Sequence, residues 1–545
     1  MTAQSNKITL SRIHLDKVIL LEILSFINNN IVWGVPMLSL MVFTGAFFSI
    51  KTRFFQLRKF PSVLKSTVFS KPESRSKEKT KGESTPFEAM CQALAATLGT
   101  GNIAGVGTAL CVGGAGAVFW MWICSIFGMM TGFAENVLGF LYRKRDKSGE
   151  WHGGAMYYIQ GGLEKRRSTR KIAKPLALIY AALCTAAGFG MGNAAQMNSA
   201  AQALEISFGT PAIITGIALA ALAAIVIFGG KKRVWSFCSK IVPIMSGFYI
   251  IGSLYIIFTN IENVPGAFKC IFSGAFGLSQ IGGGIFGAAV KTAISMGFKR
   301  GAFSNEAGLG TSVFAHTSSS IKSAKLCGMW SIFEIFFDTI VMCTLTAAVL
   351  LSGKCTPLPT ADAALRSVSA QTSYFRLTDS EKIISEGVEL DNKIRCISIY
   401  GEEFYADAPK GLTYSNIFEI KAEFSDQKVT SATITAVSGA GLASFAFSGA
   451  FGKTASGILA VLTAMFAFST VIGWSYFGAE AISFLFGQRA VMPFRIVFIA
   501  FSVVGAVIDL RVAWAVSDLL NGLMALPNLI AVLILSKEAL KAIEE

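Results

Sequence analysis

Charge is scarce in this sequence. Only 15% of its 545 residues are Asp, Glu, Lys or Arg, whereas a soluble globular chain carries about 25%. A water-exposed particle of this size cannot cover its surface with so few charges. That excludes a soluble enzyme, a nucleic-acid-binding protein and a disordered scaffold. Histidine is rarer still, with three in the chain, and the ten cysteines form no CxxC pair or other metal-ligand spacing. A zinc or haem site therefore has no support in the sequence, and no cofactor is expected. HExxH is absent and no span hydroxyl has a nearby His–Asp partner, so no enzymatic activity is expected.

Apolar residues are what the chain has. They make up 53% of it, with 53 Gly and 44 Phe, and the mean hydropathy is +0.56. Gly is frequent in membrane helices, and the composition describes a polytopic membrane protein. A spanning helix needs about 20 mostly apolar residues. Eleven stretches qualify: 31–50, 88–110, 116–141, 175–198, 211–229, 234–258, 276–298, 327–351, 457–484, 491–509 and 513–535.

The formal net charge of +15 is unevenly placed. Segment 51–86 carries ten Lys/Arg and segment 142–174 another ten, while loop 354–455 has ten Lys/Arg against twelve Asp/Glu. Lys231, Lys232 and Arg233 follow the fifth span, and Lys299 and Arg300 the seventh. All the basic loops fall on one face if the N-terminus is outside and the C-terminus inside, which is the orientation that the positive-inside rule selects. Residues 1–30 lack a signal-peptide cleavage site and read as an amphipathic segment. Segment 51–87 is a basic cytosolic linker and 536–545 a cytosolic tail. Most cysteines lie in spans as small apolar residues. Cys355 and Cys396 fall in the large external loop, where an oxidising compartment would allow a disulfide.

Two spans are crowded with glycine. In the second, Gly99, Gly101, Gly105 and Gly107 surround Thr100 and Asn102; in the seventh, Gly282, Gly283, Gly284 and Gly287 cluster. Every backbone polar group in lipid must be paired, so a weakened helix at mid-depth needs a reason. One reading is an unwound segment that holds a cation and a carboxylate. The other is close helix packing through small residues. The polar Thr–Gly–Asn favours the first. The spacing of the two clusters then suggests two five-helix repeats of opposite topology, 88–258 and 276–509, with 31–50 as an accessory first helix and 513–535 as a final one.

Several motifs are recognisable at this point. GTGNIAGVGTA at 99–109, GGAGAVFWMW at 113–122, GGAMYYIQGGL at 153–163, KRGAFSNEAGLGTS at 299–312, DTIVMCTLTA at 338–347, FAFSTVIGWSYFGAE at 466–480 and DLLNGLMALPNLIAV at 518–532 resemble the alanine/glycine:cation symporter family. The resemblance implies an all-α membrane fold of the LeuT type, a 5+5 inverted repeat with an extra N-terminal helix. It also implies a secondary active symporter in the cell membrane that couples sodium influx to uptake of alanine or glycine by alternating access. Two alternatives remain: a proton-coupled carrier of another small zwitterion, with Glu306 or Asp338 titrating, and a receptor-like homologue sensing an external ligand. The partners expected are a small neutral amino acid, sodium and the bilayer, with no nucleic acid and no obligate protein partner. One stretch departs from the family: 365–435 is an insertion, and RCISIYGEEFYAD, IFEIKAEFSD and VTSATITAV alternate as β-strands do, reading as a small external β-rich module.

The resemblance also assigns residues. Asn102 would contact substrate from the unwound turn, with Thr100 and Gly101 offering backbone groups. Gln196 would meet the substrate carboxylate or amine. Thr470 and Trp474, neighbours at i,i+4, would bind and bound the pocket, which Gly283, Ile285 and Phe286 would close from the seventh span. Sodium, a hard cation, prefers oxygen. Its candidate ligands are the Ser469 or Thr470 hydroxyl and the carbonyls of Thr97, Leu98 and Gly101. Intramembrane carboxylates are functional candidates. Glu306 would pair with Lys299 or Arg300 at an inner gate, and Glu334 and Asp338 would need a partner such as Lys291 for gating or coupling.

Overall fold

A computed structural model describes residues 23–70 except 25, 83–277 except 147 and 148, 285–352, strands between 374 and 436, and 453–544 except 509. Besides two short helices at Phe55–Arg58 and Phe60–Ser66, the helices are α1 Val35–Lys51, α2 Pro86–Thr97, α3 Ala104–Gly113, α4 Gly116–Tyr142, α5 Ala155–Glu164, α6 Arg170–Phe189, α7 Ala195–Phe208, α8 Ala212–Ile227, α9 Gly230–Thr259 and α10 Val264–Ala275. They continue as α11 Ile285–Asn305, α12 Ser312–Thr317, α13 Ala324–Ile335, α14 Thr344–Ser352, α15 Lys453–Phe486, α16 Val491–Val507, α17 Leu510–Ile534 and α18 Ser536–Glu544. Seven of the described helical runs are long and apolar enough to cross a membrane, or eight if the bent pair α2–α3 counts as one; α1 and α8 are shorter apolar helices. Large apolar side chains face outward on them, among them Ile214, Phe248, Ile251 and Phe258. A surface of that kind requires an apolar surrounding.

The helices are irregular where the sequence is rich in glycine or polar residues. A π-helical turn, Gly190–Ala194, joins α6 to α7, and another, Phe336–Cys343, joins α13 to α14. The second span is broken: α2 ends at Thr97, a 3-10 turn covers Thr100–Asn102, and α3 leaves at 61° to α2. The N-terminus of α2 is firmly capped. The Thr85 hydroxyl accepts from the Glu88 amide, and the Glu88 carboxylate accepts from the Thr85 amide.

The reading of a break at Gly282, Gly283 and Gly284 in the seventh span lies outside the described residues, which omit 278–284; from Ile285 α11 runs through Gly287 to Asn305. Among the described residues an interruption falls at 306–311. There Glu306, Gly308 and Gly310 have φ of 55°, 91° and 72°, a left-handed backbone that ends a helix of L-residues. Lys299 and Arg300 are therefore not in a basic loop; they are buried inside α11. The two broken helices face each other, with α11 against α3 and α12 against α2. Close approach is set by glycine. A Cβ on Gly297 would lie 2.5 Å from the Trp120 Cβ, and one on Gly473 would lie 2.9 Å from the Ala96 Cβ.

Outside the helices, β1 Lys144–Arg145 and β2 Trp151–His152 make a small antiparallel hairpin. The strands β3 Tyr374–Leu377, β4 Ile384–Leu390, β5 Lys393–Ser398, β6 Glu403–Asp407, β7 Ile417–Ser425 and β8 Lys428–Ala436 form one sheet in the order β3-β7-β8-β6-β5-β4. Cys355 lies outside the described residues and Cys396 lies in β5 without a described side chain, so the disulfide reading falls outside them too.

The hairpin ties several elements together. Arg143, just before it, donates to the carbonyls of Thr317, Ser319 and Ile321. His152 meets Glu480 of α15 at 2.8 Å, and Lys231 of α9 meets the same carboxylate at 2.8 Å. The hydrogen bond to Glu480 raises the His152 pKa above its ordinary 6.5 despite burial. A raised pKa makes the contact stabilising below about pH 6.5, and this contribution fades as pH climbs through the raised value. His152→Gln should therefore lower the unfolding temperature in detergent more at about pH 6 than at about pH 9.

Candidate functional site: a broken helix clasped by side chains

Where α2 stops, several backbone groups lose their helical partners. Side chains take them up. The Asn102 Oδ1 accepts from the Gly99 amide at 3.1 Å. The Gln196 Oε1 accepts from both the amide and the hydroxyl of Thr100, each at 3.0 Å, while its Nε2 donates to the Met191 carbonyl. The Thr346 hydroxyl donates to the Asn102 carbonyl at 2.7 Å. A buried unpaired group would cost about 1–3 kcal/mol each, so these bonds are what allow an open turn here.

Asn102 is committed on its other side as well. Its Nδ2 donates to Asp338 Oδ1 at 2.8 Å and to the Ser304 hydroxyl at 2.9 Å. Asp338 also accepts from Ser304 at 2.5 Å and Thr339 at 2.9 Å. The expected partner for Asp338 and Glu334, Lys291, is exposed on α11. Glu334 instead meets the His316 Nε2 at 3.0 Å. Neutral donors on adjoining helices already lie beside Asp338, and a distant ammonium is not needed.

Gly99 opens toward the rest of the site. A Cβ there would lie 2.6 Å from the Thr470 Oγ1 and 2.8 Å from the Gln196 Oε1. The Thr470 hydroxyl is 3.4 Å from the Leu98 carbonyl and donates to Phe466 at 3.1 Å. Of the sodium candidates, Leu98 and Thr470 thus meet. The Ser469 hydroxyl donates to the Phe466 carbonyl within its own helix, and the Thr97 hydroxyl to that of Ala93, which leaves the expected carbonyl role of Thr97 untouched. Gly101 lies against Phe303, 3.2 Å from the position of its missing Cβ. The side chains of Ile285 and Phe286 lie outside the described residues.

Trp474, one turn along α15 from Thr470, packs its Cβ over Gly192, where an added Cβ would come within 2.4 Å. Its indole donates to Glu306 Oε1 at 3.1 Å. This corrects the inner-gate pairing. Glu306 faces Trp474, while Lys299 and Arg300 both reach Asp518 of α17, at 2.8 and 3.1 Å. Geometry explains it: Glu306 sits past the end of α11 in a left-handed turn, so its side chain leaves the face that carries the two bases. Arg300 stacks near Trp514 at 4.9 Å, and Trp514 stacks on Phe303 at 4.8 Å.

Sequence reasoning did not reach the cradle of the second break. Asn528 donates to the Gly308 carbonyl at 2.8 Å and to Glu135, and accepts from Tyr158; Tyr180 donates to the Leu309 carbonyl at 2.7 Å. Glu135 and the NGLMALPN run around Asn528 were visible as polar residues in spans. Nothing in their spacing named their partners.

The family model described as the sodium:alanine symporter family matches residues 17–377 and 424–545. The chain belongs to the sodium:alanine symporter family. It is 36% identical over 518 residues to the "Sodium/alanine symporter AgcS" of Methanococcus maripaludis, covering 95% of each chain. It is 30% identical to the "Probable sodium/glutamine symporter GlnT" of Bacillus subtilis, over 96% of this chain and 91% of that one. It is 32% identical to the "Amino-acid carrier protein AlsT" of the same species, over 93% and 88%. The molecule is a multi-pass membrane protein of a transporter family, a cation-coupled amino-acid carrier.

Two variants probe the clasp. Gly99→Ala fits the backbone (φ −121°) but sets a methyl between Thr470 and Gln196. Uptake of labelled amino acid should fall by about tenfold or more, and a denaturation series should show a stability loss of about 1–3 kcal/mol from overpacking. Asn102→Ala strips donors from Asp338 and an acceptor from Gly99. It should cost about 2 kcal/mol or more of stability in a denaturation series, because buried polar groups lose their partners.

Proposed function

We propose that this carrier couples sodium entry to uptake of a small neutral amino acid, alanine or glycine, by alternating access. The meeting of the Leu98 carbonyl and the Thr470 hydroxyl beside the open turn carries this reading. An oxygen pair where two helices cross suits a hard cation, and the adjoining Thr100–Asn102 turn can face a carboxylate. Neither partner needs covalent chemistry. Ligands that share a preferred state are coupled by linkage alone.

Trp474 is the wall. Fixed by Gly192 behind it and Glu306 at its indole, it limits the side chain that fits. One methylene in such a pocket discriminates by only about 1–3 kcal/mol, so alanine and glycine would both be accepted. Asn102 acts as a positioning residue in this reading, since Asp338 and Ser304 occupy its amide. The paired broken helices support a LeuT-type inverted repeat of 88–258 and 276–509, and the charge distribution supports an external N-terminus and a cytoplasmic C-terminus.

Proton coupling is the second reading, favoured by the buried carboxyl of Glu306, which meets the Trp474 indole and no cation among the described residues. Uptake of labelled alanine into proteoliposomes separates the two. Replacing sodium with choline at fixed pH should abolish uptake, and Thr470→Ala should raise the sodium needed for half-maximal uptake about tenfold. Uptake that persists in choline and follows a pH gradient would transfer the coupling to Glu306.

A further inference from the structure

The half-helix α2 begins, and α12 ends, on one side of the molecule, which the proposed orientation places in the cytosol. Ser84 joins these two feet through its backbone bonds to Ser318 and Ser320. The feet are closed in: Ser84, Thr317, Ser318 and Ser319 are buried. The β1–β2 strands lie against them. Only Arg143 separates β1 from α4, and His152 of β2 is held by Glu480 of α15. The hairpin is thus anchored to two long helices, and the feet rest on it.

Both feet are gripped around one indole. Two guanidinium groups pack on the Trp151 ring, Arg143 at 4.0 Å and Arg145 at 4.5 Å, where the ring face attracts a cation. Arg143 also meets the Phe140 ring at 4.0 Å. From this seat it donates to the carbonyls of Thr317, Ser319 and Ile321, at the foot of α12. Arg145 and the Trp151 indole both donate to the Glu83 carboxylate, at the foot of α2, at 2.6 and 3.0 Å. Glycine permits the close approach: a Cβ on Gly153 would lie 2.1 Å from the Thr317 Oγ1.

Each contact in this grip is weak by itself. The three Arg143 bonds measure 3.1 to 3.4 Å, beyond the usual value of about 2.9–3.0 Å. The Arg145 side chain is 44% exposed, and an ion pair with one partner in water contributes little. The carbonyls and the carboxylate that would be freed lie at the aqueous end of the helices, where water replaces the lost donors, so release leaves no buried group unpaired. A contact that is firm as a set and weak bond by bond suits a closure that must open in every cycle.

We propose that Arg143, Arg145 and Trp151 form a latch that holds the joined feet of α2 and α12 shut, and that the cytosolic side opens when Glu83 and residues 317–321 leave it together. This rests on the alternating-access reading. The hairpin stays with α4 and α15, and the feet move. Because Ser84 ties one foot to the other, a single latch holds both half-helices.

Two native cysteines read the movement. Cys91 is buried in α2 and Cys124 in α4. The full chain, purified in detergent without sodium or amino acid, is treated with N-ethylmaleimide, and labelling of each cysteine is followed by peptide mass spectrometry. Departure of the feet uncovers Cys91 and leaves Cys124 covered, whereas loosening of the whole fold uncovers both. Glu83→Gln and Arg145→Ala should each raise the Cys91 rate about threefold. Arg143→Lys keeps the charge but loses the planar fork, and should raise it about tenfold. The Cys124 rate should stay at the parent's in all three. A Cys91 rate unchanged in Arg143→Lys or in both other variants, or one that rises only together with the Cys124 rate, would overturn the proposal. The labelling involves neither sodium nor uptake, so it succeeds or fails apart from the coupling reading.

Discussion

Pairing of backbone polar groups in an apolar surrounding is the constraint on which this structure depends. A helix satisfies its own amides and carbonyls; a break does not. At Leu98–Asn102 the unpaired groups are received by three side chains from three other helical segments, Gln196, Asp338 and Thr346 acting directly or through Asn102. The second break is received in the same way by Asn528, Tyr180 and Glu135. Each break therefore fixes its neighbours as firmly as they fix it, and the buried amides and carboxylates that look costly in the sequence are what make an open turn tolerable.

The helix α15 is the common element. Thr470 meets the first break, Trp474 meets the second, Gly473 allows α2 to approach, and Glu480 holds the hairpin. Three irregular segments and the half-helix α2 thus converge on one regular helix. The division is mechanical: the straight helix carries the rigid side chains, and the turns supply the backbone atoms.

Much of this was legible in the sequence, and its limits are instructive. The first break could be read because Thr100 and Asn102 stand among glycines, and a polar residue there has no purpose in a plain helix. The interruption at 306–311 was not read, because attention went to the glycine density at 282–287 and not to the pair Gly308 and Gly310 beside Glu306, where φ turns positive. Partners across the fold were harder. Lys299 and Arg300 beside Glu306 in sequence suggested an ion pair, but adjacency along a helix says little about which face a side chain leaves from. Asp518 lies more than two hundred positions away and no local pattern announces it. His152 reads as an isolated histidine until the hairpin brings Asp146 and α15 brings Glu480 beside it.

One contact outside the site has a mechanical consequence. Ser84, just before α2, exchanges backbone hydrogen bonds with the chain after α12, its amide donating to the Ser318 carbonyl and its carbonyl accepting from the Ser320 amide. The half-helices α2 and α12 are thereby linked at their far ends as well as side by side. They form a two-legged lever whose feet are joined and whose pivots are the two turns. A force that tilts one leg tilts the other, so the two turns deform in step.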